Sequence, residues 1–215
     1  MAPREPPARS PRERWLTPAI LGFGLASFLS DAGHEAGTAA LPGLLLLIGS
    51  APAALGLIEG FSDGLSSVAK LAGGWWADRP ALRKPIAVAG YLTTGITTGL
   101  YGLSTAAWHV AAARGLGWFA RGARGPARDA MLSEAVPQEA LGRAFGLHRA
   151  ADTSGAVVGP AGAAVLLAIV PLRHVFLYAL VPGVLAGLAF LLLVRPAGGT
   201  ARRTAVLDEF QRAIP

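Results

Sequence analysis

The sequence predicts an all-α integral membrane protein of six transmembrane helices with both termini in the cytoplasm. Two observations carry this. Apolar stretches fill most of residues 17–195, in a chain that is 53% hydrophobic and 15% charged, where a soluble domain carries roughly 25% charged residues. The cations then collect in alternate gaps between those stretches. Arg4, Arg9, Arg12 and Arg14 precede the first, and Arg79, Arg83 and Lys84 follow the second. Arg121, Arg124, Arg128 and Arg143 follow the fourth, and Arg195, Arg202, Arg203 and Arg212 follow the last. The intervening gaps, near Ser50, Ser104 and Val170, hold Arg173. Basic residues in short loops stay on the cytoplasmic side, so the alternation gives the topology before any motif is read.

Residues 1–16, rich in Pro and Arg, read as a disordered cytoplasmic tail. Residues 17–195 form the transmembrane domain and 196–215 a second cytoplasmic tail, in which Thr204 to Ile214 form a short surface helix or nothing. A span needs about 20 apolar residues, which places spans near 17–48, 52–77, 85–104, 106–127, 143–168 and 172–194. The first exceeds what a bilayer requires and has to tilt, kink or extend beyond it. Pro42-Gly43 lies in its second half. The runs are too long, and lack the period-2 alternation, for strands. Gly and Ala abound within them, and small residues let membrane helices approach closely. An Arg-rich start before an apolar run imitates a signal peptide, but no convincing small-residue cleavage site follows.

Charges inside spans are costly and each asks for a role. Asp31, His34 and Glu35 share one face of the first span, at spacings of three and four. Glu59, Asp63 and Lys70 do so in the second, with Lys70 placed to neutralise Asp63. Arg114 stands in the fourth. His148, Arg149 and Asp152 share a face of the fifth. With ionisable groups in four of six spans, a polar pathway is favoured over isolated structural ion pairs. Acid and histidine combinations at membrane depth suit proton relay; the alternative for Asp31 is a hydrogen bond to a neighbouring helix without titration. Trp75, Trp76 and Trp108 fall near span ends, where interfacial aromatics are expected.

Several motifs resemble the major facilitator superfamily. Gly74-Trp-Trp-Ala-Asp78-Arg79-Pro-Ala-Leu-Arg83-Lys84 is similar to that family's loop signature between its second and third spans. Arg114 matches its intramembrane Arg. Gly155-Ala-Val-Val-Gly159-Pro160-Ala-Gly162 resembles the Gly-Pro kink motif of its antiporters. Gly56-Leu-Ile-Glu59-Gly, Arg124-Gly-Pro-Ala-Arg128-Asp129-Ala and Gly142-Arg-Ala-Phe-Gly-Leu-His148-Arg149-Ala-Ala-Asp152 look like a bacterial drug or solute permease branch. The resemblance implies one six-helix half of a major facilitator fold and transport of a small solute by alternating access in the inner membrane, with proton coupling of an antiporter kind as an option. It also implies a gating loop in which Asp78 caps a helix of the opposite half. Here that loop is one residue longer, with Pro80 and Ala81 before the cations, so the match at Arg83 and Lys84 is looser. The expected partners are the lipid bilayer, a small-molecule substrate, and a second half supplied by another copy or another polypeptide. A truncated, non-transporting fragment or interaction subunit stands as the alternative.

Other classes fare worse. The net charge of +6 is divided among gaps rather than laid along one face, which argues against nucleic acid. With no cysteine there is no thiolate nucleophile or thiolate metal site. No nucleophile elbow or His/Glu metal spacing is present, so neither an enzyme nor a cofactor or metal site is expected.

Overall fold

The computed structural model describes residues 15–195, and these are helical nearly throughout. Six helices follow in order: α1 (Pro18–Leu47), α2 (Ala53–Ala77), α3 (Pro80–Leu100), α4 (Ala107–Glu134), α5 (Leu141–Leu167) and α6 (Leu172–Leu193), with short 3-10 turns at Tyr101–Leu103 and Gln138–Ala140. Nearly all of the tail expected over 1–16, the tail over 196–215 and the short helix at 204–214 lie outside the described residues.

Local chemistry sets the ends. Thr17 caps α1 by accepting from the Ile20 amide at 3.3 Å, and Pro18 occupies the first turn, where a missing N–H costs nothing. At the other end Gly49 takes φ +71°. The Gly49 and Ser50 amides then donate back to Leu46 and Leu45, a Schellman closure that glycine permits. Two helices depart from the predicted spans. α3 begins at Pro80 rather than 85, because proline at its first position pre-sets the helical φ. α4 runs to Glu134 rather than 127, carrying Arg121, Arg124 and Arg128 on the helix instead of in a loop.

The helices pack side by side in the order α5, α1, α6, α3, α4, α2. The arc stays open, since α2 and α5 at its two ends share no extended contact. One apolar cluster, with Ile20, Phe23, Tyr91, Leu132 and Phe190, fills the end nearest the Asp78 loop. A second, with Leu41, Leu44, Tyr101, Val110 and Phe176, fills the other end. Between them the backbones nearly touch. A Cβ on Gly95 of α3 would stand 2.6 Å from the Gly183 carbonyl carbon of α6, and one on Gly33 of α1 2.7 Å from the Ala179 carbonyl oxygen. Large apolar side chains cover the outside instead, Leu71 being 79% and Leu192 72% exposed. By length and hydropathy alone, Gln138–Leu167 and Leu172–Leu193 meet the requirement for crossing a membrane. The remaining helices carry charged or less apolar windows, and the charges of α1, α2 and α4 include those of the site below.

Arg173, the exception to the charge alternation, has a local task. Its Nη1 donates to the Gly102 and Ser104 carbonyls at 2.9 and 2.7 Å. These are carbonyls left open where α3 ends, and the bond ties that end to the start of α6.

Candidate functional site: a charged cavity on the open side

Helix α4 supplies the spine of the site. Arg114, Trp118, Arg121, Arg124 and Arg128 recur at intervals of three and four residues and so share a face. Toward α1 and α2, Arg114 donates from Nε and Nη2 to Glu59 Oε2 at 3.1 and 2.7 Å, and from Nη1 to Thr38 Oγ1 at 3.4 Å. Arg114 is 1% exposed, a position that demands a counter-charge. Two turns on, Arg121 Nη2 approaches Asp31 Oδ1 at 2.8 Å. The alignment is too poor for a hydrogen bond, and Oδ1 has no other partner. Asp152 on α5 faces the same cavity. Asp152 accepts from Ser27 Oγ at 3.2 Å and pairs with Arg149 at 3.3 Å.

One turn further, Arg124 is 2% exposed. Its guanidinium lies 3.8 Å over the Tyr91 ring and donates to Ser30 Oγ at 3.1 Å. No carboxylate among the described residues is within ion-pair distance of it. Arg128 pairs with Asp129 at 3.0 Å. These groups open into a cavity of about 570 Å³ whose lining includes Ser66, Lys70, Trp118, Arg124, Asp129 and Asp152. It lies on the open side of the arc, between the rims formed by α2 and α5.

The predicted site residues divide. Asp31, Glu59, Arg114, Arg149 and Asp152 belong to this network. His34 is buried edge-on to Trp118 at 5.4 Å between ring centroids, with Nε2 unpartnered. His148 is buried with neither ring nitrogen partnered. Glu35 is half-buried and joins no ion pair with a described residue. Asp63 and Lys70 are both exposed and unpaired, so the expected neutralisation of Asp63 by Lys70 is absent; seven residues of helix separate them by about 10 Å. Gly155 and Gly159 press α5 against the α1 backbone at Phe28 and Ala32, where any Cβ would collide, and Pro160 follows inside the helix.

In the loop, Arg83 donates to the Ala77 carbonyl and pairs with Glu134 at 2.6 Å. Arg79 lies over Trp75 at 4.6 Å. Gly74 and Lys84 are half-buried, whereas Asp78 is exposed and makes no ion pair among the described residues. The residues missed by sequence reasoning are Arg121, Arg124 and Arg128, together with Ser27, Ser30 and Thr38. Their signal was the continuation of the Arg114 face at +7, +10 and +14.

The described residues thus form a six-helix unit with apolar sides and a charged concavity. The family model described as Major Facilitator Superfamily matches residues 19–212. An uncharacterized MFS-type transporter from Methanocaldococcus jannaschii is 33% identical over 147 residues, covering 68% of this chain and 37% of its own. An uncharacterized protein of Mycobacterium bovis is likewise 33% identical, over 68% of this chain and 36% of its own. A bacterial homologue of the human lysosomal transporter Spinster, solved inward-facing and unoccupied, superposes with a TM-score of 0.69 at 17% identity, covering 88% of this chain and 44% of that one. This chain therefore belongs to the Major Facilitator Superfamily, a family of multi-pass membrane transporters. It spans less than half the length of these relatives.

Proposed function

We propose that the chain is one six-helix half of a small-solute transporter that works by alternating access. In this reading all six helices span the inner membrane, both termini are cytoplasmic, and a second half closes the open side. The carrying observation is the charged cavity between α2 and α5, with apolar rims on either side. Two chains with both ends on one side of the membrane have the same orientation, so a second copy can pair about an axis along the membrane normal. Asp31, paired with the cation Arg121, is the proposed proton carrier. Protonation would release Arg121 and let the network rearrange. Asp78, exposed and unpaired, is left to cap a helix of the other half.

The absence of native cysteine makes a direct test available. Ser66→Cys in the cavity and Thr38→Cys near Arg114 are labelled in liposomes with a membrane-impermeant maleimide from each side. Each site becoming reachable from one side in turn, with Asp31→Asn locking one pattern, supports the reading. Fixed one-sided labelling, unchanged by Asp31→Asn, overturns it. Light scattering of the purified protein gives the oligomer: a dimer supports two identical halves, and a monomer counts against them.

A further inference from the structure

The cavity carries more positive charge than its own carboxylates answer. Five cations line it: Lys70, Arg121, Arg124, Arg128 and Arg149. Three are matched within the chain, Arg121 by Asp31, Arg128 by Asp129 and Arg149 by Asp152. Arg124 and Lys70 are matched by no carboxylate among the described residues. For Lys70, exposed at the rim, water is a sufficient partner. Arg124 has no such recourse, being 2% exposed with Nε lacking any hydrogen-bond acceptor. Its other contacts are one hydroxyl, Ser30, and the face of Tyr91, neither of which carries charge.

An unpaired buried guanidinium at membrane depth is unfavourable by several kcal/mol. The planar fork of a guanidinium matches carboxylate and phosphate oxygens in pairs. The Tyr91 ring on one face and Ser30 at one edge hold that fork in place, with the Nε edge unoccupied.

The geometry points to an oxyanion site centred on Arg124, with Lys70 as its entry-side cation, so that the solute carries a carboxylate or phosphate group. This rests on the transporter reading for its purpose, but binding needs no transport cycle and is measured separately. Asp31 and Asp129 keep Arg121 and Arg128 engaged, so the surplus charge is left at Arg124 and Lys70.

The test is thermal unfolding of the full chain in mild detergent at constant ionic strength, with sodium chloride replaced stepwise by inorganic phosphate or citrate. Nanodiscs containing phosphatidic acid are compared with nanodiscs of phosphatidylcholine alone. Occupancy at tenfold above Kd is expected to raise the midpoint by about 3–6 °C, and to saturate. A general salting effect rises without saturation. Arg124→Gln and Lys70→Gln should abolish or weaken the saturable part tenfold or more, whereas Arg143→Gln, which removes a charge outside the cavity, should leave it intact. If Arg124→Gln fails to fold, Lys70→Gln and Arg124→Lys carry the comparison. Saturation by phosphate or citrate supports the site with a free solute as its source, and saturation confined to phosphatidic acid supports it with a lipid headgroup as its source. No saturable effect, or one equally present in Lys70→Gln and Arg143→Gln, overturns the inference. A failed labelling test with saturable binding intact would count against alternating access and not against the site.

Discussion

Breaking the Glu59–Arg114 pair should show how far the buried charges hold α2 to α4. Arg114 is 1% exposed and Glu59 32%, so the two partners face different alternatives. With Glu59→Gln the guanidinium stays buried with a neutral amide and the Thr38 hydroxyl. Removing one partner of a buried pair costs about 3–5 kcal/mol, and water at the half-open Glu59 side reduces this to about 2–3. With Arg114→Gln the carboxylate can turn toward water, and the cost falls to about 1–2 kcal/mol. The double variant should cost about the same as Arg114→Gln alone, since no charge is left stranded. The expected coupling therefore equals the Glu59→Gln cost, about 2–3 kcal/mol. Reversible unfolding in mixed micelles with increasing dodecyl sulfate, followed by far-ultraviolet circular dichroism, measures all four proteins. Costs that simply add, within about 0.5 kcal/mol, would refute the claim that Glu59 is the counter-charge of Arg114.

Three further expectations use the same unfolding assay. Gly95→Ala pushes a methyl against the α6 backbone at Gly183, which cannot yield as a side chain tip would, so a loss of about 1–3 kcal/mol is expected; an unchanged midpoint would mean that the helices separate easily there. Arg173→Ala strands the Gly102 and Ser104 carbonyls and should cost about 1–3 kcal/mol, and a loss below about 0.5 would mean that water replaces the guanidinium. Within the loop, Arg83→Gln should destabilise by about 1.5–3 kcal/mol because it loses the Ala77 carbonyl and Glu134. Asp78→Asn should instead stay within about 0.5 kcal/mol while altering the two-sided labelling of Ser66→Cys, and the opposite ranking would reverse the roles given to the two residues.

The helices were legible from apolar length alone, and the structure fixes their ends locally at Thr17-Pro18, Gly49-Ser50 and Pro171. The charge-based reading failed inside α4. It counted Arg121, Arg124 and Arg128 with the gap after the fourth span, although the span placed near 106–127 already held the first two, and the positive-inside rule has no way to separate a cation beyond the membrane from one paired within it. Their spacing from Arg114 held the correction. What no spacing along one helix reveals is the cross-helix partner. Ser30 and Tyr91 meet Arg124 from α1 and α3, and Ser27 of α1 meets Asp152 of α5, through contacts more than thirty residues apart. The loop motif was legible as a unit, but its division of labour was not. Arg83 works within this half, whereas Asp78 finds nothing here to cap.

The arc divides its stabilising and working surfaces. Its closed side, from α1 through α6 to α3, is joined by glycine-lined backbone contacts and by two apolar clusters. Its open side places charge between rims that are apolar, with Leu57, Phe61 and Val68 exposed on α2 and Val157, Val158 and Val165 on α5. Lipid suits the rims but not the cavity, and water suits the cavity but not the rims. A second unit that meets the rims and leaves the middle wet satisfies both. In the proposed assembly the rims would carry the energy through apolar area, while the charged middle could exchange partners without loosening it. A carrier that must hold together while its interior rearranges needs that separation.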